Sequence, residues 1–175
     1  FNLSPVQLQD PSLPAQVGAI LERHGLAPDR LVLEITETSL VRNPEAAKSI
    51  LTQLSETGVS IALDDFGAGH SSLSYLRDFP IGTVKIDKSF TERMLIDKQC
   101  AAIVEAILVL SRGLDINAVA EGIEETDVHE ALNSNGCHYG QGFLYAAAIA
   151  ADDVPALLES QAAGLSHFAG QNSAS

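Results

Sequence analysis

Residues 60–72 read SIALDDFGAGHSS, an apolar run over Ile61, Ala62 and Leu63 that ends in two adjacent carboxylates, Asp64 and Asp65, and a glycine-rich turn. Like charges at the end of a buried segment repel each other and resist the loss of water, so they call for a compensating cation. Other polar residues stand in the same relation to other apolar runs: Asn2, Glu34, Lys85 and Glu121 each fall at or near the C-terminal end of a different predicted strand. Asn2, Glu34, Asp64 and Asp65 offer only oxygen donors, which select Mg²⁺ or Mn²⁺ over zinc. An adjacent aspartate pair lets one carboxylate bridge two ions while the other holds the second, the arrangement used to cleave phosphodiesters. Lys85, on the otherwise apolar run VKI, is a cation among acids, suited to orient a water or neutralise a phosphate. Glu121 is placed to be a second-ion ligand or a general base.

The elements that must position these groups alternate along the chain. LVLEIT (31–36) reads as a strand, and the helix after it has Asn43 as N-cap, Pro44 at its first position and Gly58 as terminator. Ala47, Ile50, Leu51 and Leu54 fall at i, i+3, i+4 and i+7, the stripe of a helix packed on one face. The same order repeats: VSIALDDF and a short helix stopped by Pro80, TVKID and a long helix over about 97–113, INAVAEG and a helix over 126–135, then YGQGFLY and a helix after Asp152 carrying Val154, Leu157 and Leu158. With the N-terminal segment, six strands are expected, and strand–helix alternation implies a parallel α/β sheet whose C-terminal strand ends converge on one ligand-binding face. The leucine, isoleucine and valine stripes are read as core. Residues 162–175 lack periodicity and are expected to be a frayed tail.

Composition narrows the function classes. Ten Lys and Arg against 23 Asp and Glu give a formal net charge of −13, a surface that repels polyanions, so no nucleic-acid polymer and no direct membrane contact are expected. No apolar run approaches a membrane span, AAIVEAILVL being broken by Glu105. Cys100 and Cys137 lack metal-type pairing, fit a reducing cytoplasm and are read as buried small hydrophobes. His24, His70, His129, His138 and His167 show no ligand spacing; His70 lies in the loop after the aspartates, within approach of a substrate. The chain starts at Phe1 in what reads as mid-strand, and is expected to be a piece of a longer protein.

Six ordered motifs carry a family resemblance: FNLS (1–4), LEITE (33–37), DDFGAGHSSLSYL (64–76), KIDKSF (85–90), AEGIE (120–124) and GQGFLY (140–145). In them the sequence resembles the EAL-domain family of cyclic di-GMP phosphodiesterases, over residues 1–161. The resemblance implies a bacterial (βα)₈ TIM-type barrel with a modified first strand, of which about six βα units are present, hydrolysing cyclic di-GMP to linear pGpG with two Mg²⁺ or Mn²⁺ ions. Carried over by position, it implies that Asn2, Glu34 and Asp64 hold the first metal and that Asp64 and Asp65 share the second, with Glu121 as second-site ligand or base. Lys85 matches a lysine that contacts the nucleophilic water, Glu37 and Glu124 match acids supporting the site and its loop, and Gln141 matches a glutamine near the substrate. Asp65, Glu124 and Gln141 are accordingly expected to face the nucleotide, and Gly67 and Gly69 to let the loop turn tightly. It further implies pairing of two domains through the region around that loop, a cytoplasmic location, and fusion to an upstream sensory or cyclase domain.

The sequence departs from the family pattern in two places. The Glu-Ala-Leu motif, whose glutamate is a metal ligand, is not present, and AAAIAADDV stands where a proline-containing turn is usual. Six strands leave sheet edges and part of the core open. A degenerate domain that senses cyclic di-GMP or a partner without turnover is therefore the alternative, and an unrelated barrel acting on another phosphorylated substrate is a third. DFG at 65–67 also resembles the magnesium-binding triplet of protein kinases, but none of the accompanying kinase motifs is present.

Overall fold

A computed structural model of the chain describes residues 1–41, 43–68, 73–137 and 139–162. Gly69, His70, His138 and the segment from residue 163 lie outside the described residues. The sheet has five parallel strands in sequential order: β1 (Val32–Thr36), β2 (Ser60–Phe66), β3 (Thr83–Ile86), β4 (Asn117–Ala120) and β5 (Tyr139–Gly140). The expected sixth strand is a single parallel bridge, Asn2 to Glu34, flanked by hydrogen bonds from Leu3 N to Glu34 O and from Glu34 N to Phe1 O, both 2.8 Å. Strands in sequential parallel order require helical crossovers, which are right-handed in such sheets.

The crossovers follow the local signals. Between β1 and β2 run a short helix α2 (Glu37–Val41) and α3 (Pro44–Glu56). The Asn43 side chain caps α3 by accepting from Ala46 N, and Ala47, Ile50, Leu51 and Leu54 are all buried under the sheet. α4 (Leu73–Asp78) joins β2 to β3; α5 (Lys88–Thr91) and α6 (Lys98–Leu114) join β3 to β4; α7 (Thr126–Ser134) joins β4 to β5. Asp97 caps α6 by accepting from Gln99 N and Cys100 N. Helix α1 (Leu13–His24), with Leu13 and Leu21 buried, precedes β1 and ends at Gly25 in the left-handed conformation. The continuous core runs from Leu8 through Leu33, Ile35, Leu51, Leu63, Val84 and Leu108 to Leu132, and both cysteines are buried. Among the described residues no helix is long and apolar enough to cross a membrane.

One stripe departs from its expected burial. In α8 (Val154–Ala162), Val154 and Leu158 are exposed and Leu157 is half-buried, so this stripe is not core. The reason lies in β5, which is two residues long and forms the edge of the sheet, leaving little strand surface for α8 to cover. Substituting a residue at the centre of the core has the opposite character: Leu63→Ala, at a side chain with 0 % exposure, is expected to cost about 2–5 kcal/mol in urea unfolding, whereas Leu158→Ala should leave the midpoint nearly unchanged.

Candidate active site

The register decides which polar side chains meet. Glu34 pairs with Ala62, and Ala62 with Thr83, so these three share one face of the sheet. Successive side chains alternate, so Asp64, two residues past Ala62, and Lys85, two past Thr83, lie on that same face. Lys85 is paired with Val119, and Glu121, two residues further, completes the row. Leu33, Ile35 and Leu63 point the other way into the helical layer and are buried.

Asp65 would by this alternation point away from its neighbour. A register shift prevents it: three steps on β2, from Leu63 to Phe66, match two on β3, from Val84 to Ile86. The extra residue is a β-bulge, and Asp65 takes it up in the left-handed region, with φ of 52°. Carboxylate oxygens of Asp64, Asp65 and Glu121 consequently lie within 4.8 Å of one another. Gly67, at φ of 99°, closes the turn, and a Cβ there would stand 2.9 Å from the Phe90 ring.

Lys85 is the cation of this cluster. Its ammonium lies 2.6 Å from Glu121 Oε1, 3.0 Å from Asp64 Oδ1 and 3.0 Å from Glu34 Oε2, to which it donates a hydrogen bond. Burial alone would lower its pKa, but the carboxylates of Glu121, Asp64 and Glu34 outweigh burial and keep it charged well above the usual lysine range. One ammonium does not neutralise this many acids. Glu121 is held above the usual carboxylate range by burial and by Asp64 and Asp65, against the pull of Lys85. Asp65 is raised by burial, by the charges of Asp64 and Asp87, and by a hydrogen bond with Asp87. The buried Asp64 Oδ1 has the Lys85 ammonium, 3.0 Å away, as its ion-pair partner. An all-oxygen cluster with more carboxylates than its one ammonium can neutralise fits a hard divalent cation.

The remaining expected residues surround this centre at different distances. The Asn2 backbone is bridged to Glu34 at the sheet margin, and Asn2 is exposed. Glu37, buried at the start of α2, lines a cavity of ≈ 320 Å³ with Thr36, Asp65 and Tyr75. Glu124 and Gln141 line a second cleft, of ≈ 470 Å³, which also takes in Glu121, Lys88 and Phe143. Gln141 is held through its backbone, its N–H donating to Ala120 O and its carbonyl accepting from Ile123 N. His129 is no ligand here: its Nδ1 lies 2.9 Å from the Tyr145 hydroxyl, tying α7 to the loop after β5. Asp87 was not anticipated. It follows β3 two residues after Lys85, the same spacing that places Glu121 after Val119, and that parity was the signal available for it.

The chain matches the EAL domain family model over residues 1–148. It is 45 % identical over 143 residues to the bifunctional diguanylate cyclase/cyclic di-GMP phosphodiesterase MucR of Pseudomonas aeruginosa, covering 82 % of this chain and 21 % of MucR. It is 36 % identical over 146 residues to the cyclic di-GMP phosphodiesterase RocR of the same organism, covering 83 % of this chain and 37 % of RocR. It therefore spans well under half the length of these curated relatives. Among solved structures, the PaMucR phosphodiesterase in complex with c-di-GMP superposes with a TM-score of 0.82 at 42 % identity, covering 87 % of this chain and 62 % of that one. The manganese/cyclic di-GMP complex of Klebsiella pneumoniae BlrP1 superposes with a TM-score of 0.79 at 32 % identity, covering 84 % and 38 % of the two chains. The chain belongs to the EAL domain family, and its parallel sheet is that of the family's barrel.

Lys85 and a bound cation draw on the same oxygens, which gives a test independent of turnover. Lys85→Met should destabilise the protein in EDTA by about 3 kcal/mol, the lower end for a broken buried pair, because the partner carboxylates retain 16–24 % exposure. Mn²⁺ should then raise the melting temperature of Lys85→Met more than that of the unsubstituted chain. Equal shifts would show that lysine and ion do not share these groups.

Proposed function

We propose that residues 1–161 are part of a metal-dependent phosphodiesterase domain that hydrolyses cyclic di-GMP to linear pGpG. The observation that carries this reading is the convergence of Glu34, Asp64, Lys85 and Glu121 on one sheet face, with Asp65 brought to them by the bulge. Support comes from the family match and from relatives whose names and complexes specify cyclic di-GMP, one of them with manganese. Glu34, Asp64, Asp65 and Glu121 would hold Mg²⁺ or Mn²⁺, with Asn2 beside Glu34 at the margin. When bound, such ions supply positive charge to the phosphodiester and make an attacking water more acidic.

The chain's own groups have distinct parts in this reading. Lys85, kept charged by its acids, neutralises charge developing on the phosphoryl oxygens and orients the water through its N–H donors. Glu121, beside Lys85 and within 4.8 Å of both aspartates, is placed to be either a cation ligand or the base that takes a proton from that water. Asp65 faces the site from the bulge, Glu37 supports it from α2, and the cleft lined by Glu124, Gln141 and Phe143 receives the nucleotide. The excess of acids explains why a dianionic substrate needs the ions: without them the site repels it.

Incubating the chain with cyclic di-GMP and Mn²⁺ and separating the products by chromatography tests this directly. Linear pGpG should form, should vanish in EDTA, and should fall in Asp64→Asn by more than the about 10–100-fold typical of groups that only support a metal ligand. Tight nucleotide binding with no pGpG would assign the chain to a sensing role instead.

A further inference from the structure

The four-residue helix α5 lies against two turns that follow acids of the site, the one after Asp65 and the one after Glu121. Phe90 lies against Gly67, in the turn after Asp65, where a Cβ would meet its ring at 2.9 Å. Lys88 lies against Gly122, whose φ is 68° and where a Cβ would come within 2.5 Å of Lys88 Cβ. Asp87, whose carboxylate accepts from Ser89 N at 2.9 Å and from the Ser89 hydroxyl, caps α5 and also contacts Asp65. The last residue of α5 is Thr91, with 0 % exposure, one of the few fully buried polar side chains.

The Thr91 hydroxyl donates to the backbone carbonyl of Glu121, thirty residues away in sequence, and lies 3.1 Å from the Lys88 carbonyl within its own turn. Glu121 is thereby gripped on both sides of its Cα: its N–H donates to Ile86 O at 3.2 Å and its C=O accepts from Thr91. The paired register of β3 and β4 ends at Ala120, so the bond to Ile86 O is the sheet's last hold on Glu121, and the hold on its carbonyl comes from Thr91. A carboxylate one residue past a strand end would otherwise swing with its peptide, and metal-binding groups lose affinity when their orientation is free.

We propose that Thr91 is a positioning residue for the cation site: its hydroxyl fixes the Glu121 peptide, and so sets the Glu121 carboxylate against Asp64 and Asp65. This rests on the reading of Glu121 as a cation ligand. β-Branching suits the task, since Thr has restricted χ1 freedom and its buried hydroxyl is held toward the carbonyl.

The test is Mn²⁺ titration of the full chain, followed by electron paramagnetic resonance of free and bound ion, with no turnover required. Thr91→Ala and Thr91→Ser both lose the methyl group and differ only in the hydroxyl. Thr91→Ala, and the near-isosteric Thr91→Val, should weaken Mn²⁺ binding by about 10–100-fold, while Thr91→Ser should bind as the unsubstituted chain does. Equal weakening in Ala and Ser would make Thr91 a packing residue and overturn the proposal. So would unchanged binding in Thr91→Ala and Thr91→Val when Glu121→Gln weakens it. If Glu121→Gln itself binds Mn²⁺ normally, the ligand reading of Glu121 fails first and the proposal falls with it, a result distinct from the other two.

Discussion

Mutual repulsion among carboxylates at the strand ends is the constraint around which the structure is arranged. Glu34, Asp64 and Glu121 crowd one ammonium, that of Lys85, and with side chains only 16–24 % exposed water disperses their charge only in part. At an effective dielectric constant near 20, two unit charges 4 Å apart interact by about 4 kcal/mol, so an unbalanced cluster is a liability that folding must offset. Lys85 offsets part of it. The raised pKa of Glu121 and of Asp65 registers the part that is left, and a divalent cation is the species that would remove it.

Placing these groups together is work for the whole sheet. Strand parity fixes Glu34, Asp64, Lys85 and Glu121 on one face, and parity holds only while the register holds. The register in turn depends on the buried opposite face, Leu33, Ile35 and Leu63, seated on helices such as α3. Regular strands could not deliver both aspartates. The bulge at Asp64 and Asp65 breaks the alternation at the one place where two adjacent acids are needed, and the conformational strain of Asp65 at positive φ is the local consequence.

Much of this was legible in the sequence, for local reasons. Asn43 announces its helix because an N-cap is a short-range contact, and the stripe from Ala47 to Leu54 is a periodicity within one element. The acidic strand ends were legible because a carboxylate after an apolar run is improbable without a partner. What the sequence did not disclose is set by pairings between distant segments. The bulge exists only relative to β3; Asp87 reaches Asp65, and Thr91 reaches Glu121, only once β2, β3 and β4 are aligned. The exposure of α8 has the same origin, because its apolar residues carry a helical pattern that cannot tell whether a strand surface lies beneath. Glu37 and Gln141 lie between these cases: their positions follow from the motifs, but the cavities they line follow from the fold.

The central claim is that these strand ends form a cation site, and anomalous scattering from crystals grown with Mn²⁺ measures it most directly. The account predicts anomalous density in contact with the carboxylates of Asp64, Asp65 and Glu121, with the Lys85 ammonium displaced from at least one of its present partners. Fully occupied Mn²⁺ elsewhere on this acidic surface, with Lys85 still seated among Glu34, Asp64 and Glu121, would contradict it.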